Sequence, residues 1–169
     1  LNGSEVDTVI LGQVLQAGCG QNPARQAAIN SGIEKEKTAT TINQVCGSGL
    51  AAITLGFNSL KLNDANIVIA GGQESMTNSP HYLNFRMEQN LSEEKLKDTM
   101  LVDGLIDAYN DYHMGVTAEN VAEKYQITRS NQDSFAFNSQ KKALKAISEN
   151  KFKEEIVPIK LKDQKFFDK

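Results

Sequence analysis

The sequence predicts an α/β fold in which a parallel-containing sheet is flanked by helices. Three apolar runs of strand length occur in the first 75 residues, and segments with helical spacing of apolar residues separate them. The connections between these segments are short. The order strand, helix, strand, helix, strand favours parallel pairing, because parallel strands need a crossover connection, which is commonly a right-handed helical one.

The individual elements follow from local chemistry. The first apolar run is nearly continuous, which is typical of a strand covered on both faces. Asn22 and Pro23 suit the N-cap and first position of a helix, and Gly32 suits its stop. In chain order the predicted elements are strand Asp7–Leu15, helix Ala24–Ser31, strand Ala39–Val45, helix Gly47–Leu62 and strand Ile67–Ala70. In the second helix an apolar face is formed by Leu50, Ile53, Phe57 and Leu60.

Periodic signals are fewer in the rest of the chain. Residues 73–111 are predicted to be a long connection, and a structureless segment of that length is usually functional or an insertion. Within it Ser92–Lys95 is expected to be exposed surface. Thr128 is a suitable N-cap, and Pro158 places the last strand at a sheet edge. The predicted elements are helix Met114–Tyr125, helix Ser130–Asn150 and strand Glu154–Leu161.

Composition excludes several classes of function. The formal net charge is −3, so the clustered basic excess of a nucleic-acid-binding protein is absent. The apolar runs are too short to span a bilayer, and the first residues lack the pattern of a secretory signal. Two cysteines make no disulfide framework, so a cytoplasmic location is expected.

Cys46 is the strongest candidate for chemistry. It is predicted to lie at the first turn of a helix, where unpaired backbone N–H groups and the helix dipole favour the thiolate. Gly47 and Gly49 leave room for a bulky substrate to reach the sulfur. This arrangement suits covalent acyl transfer, with a backbone N–H beside the nucleophile to hold an oxyanion. A buried structural cysteine is the alternative that the residues leave open.

Other candidate residues have less support. Cys19 lies in a glycine-flanked loop where nothing nearby would activate it, so an incidental thiol is expected. His81 is expected to be a solvated loop residue. For His113 three interpretations stay open: lining of a pocket, a pair with Cys46, or the start of a helix. Arg25 is expected to form a surface ion pair, with anion binding as the alternative. Metal-ligand spacings and glycine-rich phosphate motifs are absent from the sequence.

Four motifs follow one another along nearly the whole chain. They are Gln-Asn-Pro-Ala-Arg-Gln at 21–26, Asn-Gln-Val-Cys-Gly-Ser-Gly at 43–49, Ala-Gly-Gly-Gln-Glu-Ser-Met at 70–76 and His-Met-Gly-Val-Thr-Ala-Glu-Asn-Val-Ala at 113–122. In this order and spacing they resemble the thiolase family, most closely its acetyl-CoA C-acetyltransferase branch. The predicted fold is therefore a thiolase-like layered α/β fold.

The resemblance implies a reversible ping-pong acyl transfer. Cys46 would take an acetyl group from one acetyl-CoA, and the enolate of a second would attack the acyl-enzyme to give acetoacetyl-CoA. The backbone N–H of Cys46 would contribute to the oxyanion hole. His113 and Met114 would line the coenzyme A channel, with Leu105 beside the pantetheine. Coenzyme A thioesters are substrates here, and the resemblance implies no cofactor and no metal.

The resemblance also implies a division of the chain. Residues 1–75 would be part of the N-terminal α/β domain, and residues 76–169 part of a loop domain that covers coenzyme A. The loop domain builds much of a homotetramer, a dimer of dimers, and strand Ala39–Val45 would lie near the dimer interface. Neither a nucleic acid nor a membrane is implied as a partner.

The family's Gly-His-Pro and Cys-x-Gly-Gly-Gly motifs, which supply the catalytic His and second catalytic Cys, do not occur in this chain. It lacks an initiator Met as well, so an N-terminal-half fragment without activity of its own is expected. A structural fragment, a 3-ketoacyl-CoA thiolase of longer chain preference and a ketoacyl synthase are the alternatives. The segment Ala118–Ala122, which looks like thiolase, argues against the synthase.

Overall fold

The computed structural model describes residues 1–86 and 95–160, together with the backbone of a short strand at 166–167. Backbone alone is described for Lys160. The chain forms two compact units, Leu1–Met114 and Gly115–Lys169, which we call the sheet unit and the helical unit. The predicted exposed surface at 92–94 and the end of the predicted last strand, Leu161, lie outside the described residues.

A three-stranded parallel sheet organises the sheet unit. Its strands are β1 (Thr8–Gly12), β2 (Thr38–Ile42) and β3 (Val68–Gly72), in the spatial order β2-β1-β3. Gly12 is level with Ile42 on one side and with Gly72 on the other, so the carboxyl ends of all three strands lie side by side. The predicted α/β class and parallel pairing are confirmed; β1 and β2 are shorter than predicted, and β3 ends two residues later than predicted.

Helix α1 (Pro23–Asn30) begins and ends as its sequence predicts. Asn22 is the N-cap, with its side-chain oxygen accepting from the Arg25 N–H at 3.2 Å. The surface ion pair expected for Arg25 is wrong. Its guanidinium instead donates to the backbone carbonyls of Lys35 and Lys37 at 2.6 and 2.5 Å. Arg25 therefore holds the loop before β2.

Helix α2 (Ser48–Lys61) packs against the sheet through its smallest residues. Ala52 is fully buried, and a Cβ added to Gly56 would lie 3.0 Å from the Val68 side chain. The small side of the helix faces the strands because the backbones approach closely there. The predicted apolar face is formed, but it points away from the strands. Its four residues are 42–71% exposed: Leu50, Ile53, Phe57 and Leu60.

The long connection predicted at 73–111 contains regular structure. Two short strands, β4 (His81–Tyr82) and β5 (Lys97–Asp98), pair antiparallel. A π-helical turn follows at Leu101–Leu105. The prediction of an unstructured connection is therefore wrong for these stretches. Elements of two to five residues are too short to produce a hydrophobic period.

The helical unit contains two helices, α3 (Met114–Lys124) and α4 (Arg129–Ser148). The first residue of α3, Met114, is the last residue of the sheet unit. Thr128 caps α4 as predicted, accepting from the Asn131 N–H at 3.2 Å. The predicted strand at 154–161 is wrong in extent, because residues 151–155 form turns and only β6 (Ile159–Lys160) pairs with β7 (Phe166–Phe167). None of the helices in the described ranges is long and apolar enough to cross a membrane.

Candidate active site

A pocket of about 390 Å³ opens at the carboxyl end of the sheet, beside the start of α2. Strand ends, the α2 start and the π-helical turn all contribute to its wall, and every contributor belongs to the sheet unit. The lining residues are Gly12, Val14, Leu15, Val45, Cys46, Ser48, Gly49, Gly72, Gln73, Glu74, Met76, Met100, Gly104 and Leu105. Concave sites at this edge of a parallel sheet are where ligands of α/β proteins commonly bind.

Close backbone contacts form one side of this pocket. A Cβ added to Gly12 would lie 2.6 Å from both the carbonyl carbon and the Cβ of Ser48. A Cβ added to Gly72 would lie 3.4 Å from the Gly12 oxygen and 3.6 Å from Gly49 Cα. Strand β1 can therefore approach the first residues of α2 only because it ends in glycine, whereas a Cβ on Gly72 would make ordinary van der Waals contacts.

Cys46 lies in the turn that joins β2 to α2. Gly47 is the N-cap, so Cys46 precedes the helix and does not occupy its first turn as predicted. The thiol is exposed and lines the pocket, which rules out the alternative of a buried structural cysteine. A sulfur in this position can be reached by a substrate in the pocket and can attack an electrophilic carbon there.

The Cys46 turn is held by a short series of hydrogen bonds. The Gly47 N–H donates to the Gln44 carbonyl and the Ser48 N–H to the Val45 carbonyl, both at 3.1 Å. Ser48 is buried, and its hydroxyl accepts from the Gln44 N–H at 2.9 Å. Val45 has φ = +49°, which is unusual for a β-branched residue.

Acidic and amide side chains after β3 fix a second wall. The Glu74 carboxylate accepts from the Val14 and Leu15 N–H groups at 2.9 and 3.0 Å. The Gln73 side chain donates to the side-chain oxygen of the buried Gln13 at 2.9 Å. These bonds join segments about 60 residues apart in sequence, and they hold Val14 and Leu15, two of the apolar residues that line the pocket.

The π-helical turn supplies the third wall. The Met100 N–H donates to the Asp98 carboxylate at 2.8 Å, which fixes the entry to the turn. A Cβ on Gly104 would touch the Leu15 side chain at 3.7 Å, so this wall reaches the loop that follows β1. Single π-helical turns occur frequently at functional sites.

The structure brings together two of the four predicted site residues. Cys46 and Leu105 both line the pocket. His113 forms an isolated bridge with Ile106, the neighbour of Leu105, and is not among the lining residues. Met114 begins α3 and is not among them either.

The other titratable candidates lie elsewhere. The exposed Cys19 thiol lies 3.4 Å from the Gln13 side-chain nitrogen. His81 lies 4.0 Å from the Asp98 carboxylate across the β4–β5 pair. Across residues 1–86 and 95–160, no cluster of three or more His, Cys, Asp or Glu side chains has the arrangement of a metal site.

Several pocket residues carry no sequence signal that assigns them to a site. Met76 and Met100 are ordinary apolar residues in segments without periodicity, and Glu74 acts through backbone groups 60 residues away. Ser48 is the exception. Ser48 directly follows Cys-Gly at a helix start, and serine hydroxyls in such positions commonly form hydrogen bonds to nearby backbone groups.

The whole chain matches one protein family. A family model for the thiolase N-terminal domain covers residues 1–169. An acetyl-CoA acetyltransferase of Rhizobium meliloti is 52% identical over 165 residues, which are 98% of this chain and 42% of that protein. One of Cupriavidus necator is 55% identical over 166 residues, covering 95% of this chain and 41% of that protein.

A solved structure has the same fold. The Acat5 thiolase from Ascaris suum, crystallised in complex with coenzyme A, superposes with a TM-score of 0.87 at 38% identity. The superposition covers 94% of this chain and 41% of that one. The chain thus spans about two fifths of the length of the relatives it matches, and it belongs to the thiolase N-terminal domain family.

Proposed function

We propose that this chain is a piece of the N-terminal half of a longer thiolase, and that Cys46 is the nucleophile of its acyl transfer. The parent protein would condense two acetyl-CoA molecules to acetoacetyl-CoA and coenzyme A, reversibly. The observation that carries the proposal is the exposed Cys46 thiol in an open pocket at the sheet end. The names of the relatives, acetyl-CoA acetyltransferases, support the reaction class.

The proposed chemistry has two half-reactions. In the first, the Cys46 thiolate attacks the thioester carbonyl of acetyl-CoA, the C–S bond to coenzyme A breaks, and coenzyme A leaves as a thiolate that takes up a proton. In the second, the enolate of another acetyl-CoA attacks the acetyl-cysteine and releases the sulfur. The Cys46 N–H is proposed to stabilise the oxyanion of each tetrahedral intermediate.

Substrate contacts are proposed for three further residues. Leu105 lines the pocket with Cys46 and would lie beside the pantetheine. His113 is bridged to the neighbouring Ile106, which would place it and Met114 farther along the same coenzyme A channel. The substrates are coenzyme A thioesters, and no separate cofactor is proposed.

The short acyl preference is a proposal as well. A 3-ketoacyl-CoA thiolase of longer chain preference uses the same nucleophile, and a competition between acetoacetyl-CoA and a medium-chain 3-ketoacyl-CoA separates the two. We expect kcat/KM to be higher for acetoacetyl-CoA. The reverse order would assign the longer chain class and leave the role of Cys46 intact.

The 169-residue chain is proposed to be inactive alone. Groups that act together with a catalytic nucleophile contribute orders of magnitude in rate, and the family's Gly-His-Pro and second cysteine motifs are missing from this sequence. A thiolysis assay of the purified chain with acetoacetyl-CoA and coenzyme A should give no turnover above a no-protein control. Appreciable turnover would contradict this part of the proposal.

Replacing the nucleophile tests the main proposal. In the parent protein, Cys46→Ala should lower kcat by about 10⁴-fold or more, because no other group can carry the acyl chain. Cys19→Ala is the matched control, since it removes the other exposed thiol of the described residues. Mass spectrometry after mixing with acetyl-CoA should find acetyl on the peptide containing Cys46. Full activity of Cys46→Ala would refute the assignment.

Assembly and location complete the proposal. Strand β2 is an edge of the three-stranded sheet, where a second copy of the chain can pair, and a homotetramer built as a dimer of dimers is proposed for the parent. Residues 1–75 and 76–169 are proposed as parts of its α/β and loop domains. A cytoplasmic location is proposed because both cysteines are free thiols.

A further inference from the structure

Val45, the residue directly before Cys46, has an unfavourable backbone conformation. Its φ of +49° lies in the left-handed region, which crowds a β-branched side chain against its own backbone. Glycine or asparagine is the usual residue there. A valine stays in this region only when its surroundings hold it, and such residues cluster at functional sites.

Ser48 supplies that restraint. Its hydroxyl accepts from the Gln44 N–H at 2.9 Å and donates to the Val45 carbonyl at 2.6 Å. The two bonds join the Asn43–Gln44 peptide to the Val45–Cys46 peptide, and Val45 lies in the segment between them. The side chain is already committed to both bonds within the turn, and the residue is only 5% exposed.

The position of Ser48 is in turn fixed by the sheet. A Cβ added to Gly12 at the end of β1 would lie 2.6 Å from Ser48 Cβ, so the serine rests directly on the strand. The Asn43 side chain adds one bond on the other side of the turn, accepting from the Val45 N–H at 2.9 Å. The turn that carries Cys46 is thereby held against β1 by the buried Ser48.

We infer that Ser48 is a positioning residue for Cys46: its hydroxyl holds Val45 in the left-handed conformation and so aims the thiol into the pocket. The inference rests on the proposed function in taking Cys46 as the acyl acceptor. Both hydroxyl bonds of Ser48 lie within the turn, so Ser48 acts on the thiol through the turn. Misplacement of a reacting group by about 1 Å can cost about 10²-fold in rate.

The test compares four forms of the parent protein: unchanged, Ser48→Ala, Val45→Gly, and both together. Ser48→Ala should slow formation of acetyl-Cys46 from acetyl-CoA by about 10²-fold, with KM changed little because both hydroxyl bonds are made within the turn. Val45→Gly accepts a positive φ without strain. Adding Ser48→Ala to Val45→Gly should therefore slow acetylation much less than it does in the unchanged background.

Two further measurements complete the design. Iodoacetamide needs no oriented binding in the pocket, so the ratio of Cys46 to Cys19 alkylation should change much less than the acetylation rate. In urea unfolding of the four forms, Ser48→Ala should lower the free energy of unfolding more when residue 45 is valine than when it is glycine. If Ser48→Ala fails to fold whereas the double variant folds, that result also supports the restraint.

Failure of the inference differs from failure of the proposed function. The role of Ser48 would be overturned if Ser48→Ala were acetylated at the normal rate. It would also be overturned if Ser48→Ala lowered the acetylation rate and the free energy of unfolding equally in the valine and glycine backgrounds. If the unchanged protein never acquires acetyl on Cys46, the acyl-transfer proposal fails. The unfolding comparison then still decides whether Ser48 holds Val45.

Discussion

The sheet unit and the helical unit use their apolar residues differently. In the sheet unit Val6, Val9, Ala28 and Ile33 form a buried cluster, and each is at most 7% exposed. In the helical unit neither α3 nor α4 has a buried residue, and on α4 Phe135 and Phe137 are 80% and 68% exposed. Burial in this chain is therefore concentrated around the strands.

The two units also differ in the range of their polar interactions. In the sheet unit the Glu74 and Asp7 carboxylates each bond to backbone groups about 60 residues away. In the helical unit the ion pairs Arg129–Asp133 and Lys145–Glu149 join residues four apart on one helix. Long-range bonds can fix a site in three dimensions, whereas i,i+4 pairs only support the helix that carries them. The candidate site lies where the long-range bonds are.

The largest effect is expected where the sheet meets the α2 start. Gly12→Ala should destabilise the chain by about 3 kcal/mol, because the new Cβ would overlap the Ser48 backbone and push α2 off β1. Gly49→Ala is the matched control, since a Cβ there meets nothing within 4 Å. It should be neutral or stabilising, as alanine favours a helix over glycine by about 0.5–1 kcal/mol. Urea unfolding measures both, and similar losses would contradict the close contact.

A pair of identical substitutions sharpens the contrast between the units. Val9→Ala in β1 should cost about 2 kcal/mol, because the valine is 2% exposed and packs in the buried cluster. Val157→Ala should change stability by less than about 0.5 kcal/mol, because that valine is 81% exposed. Circular dichroism during urea unfolding measures both. An equal loss at Val157 would mean that the helical unit buries this side chain against something.

Local chemistry made much of the fold predictable. Asn22, Pro23 and Thr128 placed two helix starts to within one residue, because capping depends only on neighbouring backbone groups. The order of strands and helices predicted the parallel sheet. The caps follow from interactions between residues close in sequence, and the parallel pairing follows from the general rule for crossover connections.

Features that depend on distant contacts could not be predicted in the same way. The Glu74 bonds and the contact of Gly12 with Ser48 join segments whose proximity no local pattern encodes. The sequence placed Cys46 in the first turn of a helix predicted to start at Gly47, whereas the helix starts at Ser48 and Cys46 precedes it. The Ser48 hydroxyl bonds to the Val45 carbonyl and closes the turn, so Cys46 lies in the turn before the helix.

The smallest expected effect concerns pH and again involves a long-range bond of the sheet unit. The Asn66 and Ile67 N–H groups donate to the Asp7 carboxylate at 2.7 and 3.1 Å, and with Lys37 nearby they lower its pKa below the ordinary 3.8. A lowered pKa in the folded state stabilises the fold above pH 3.8, and this contribution is lost as the pH falls through the folded value. Asp7→Asn removes the charge and hence this titration.

Urea midpoints between pH 7 and pH 2 test that sign. At pH 7 the unchanged chain should have a higher urea midpoint than Asp7→Asn. The difference between the two midpoints should shrink below about pH 4 as Asp7 is protonated. Glu36→Gln is the control, because Glu36 is an exposed carboxylate whose ion pair with the adjacent Lys35 is 3.9 Å long. Its midpoint difference should stay near zero throughout, since exposed pairs of this kind contribute little. A difference for Asp7→Asn that grows on acidification would mean that the carboxylate opposes folding, and the long-range bonds to β3 would then not stabilise the sheet unit.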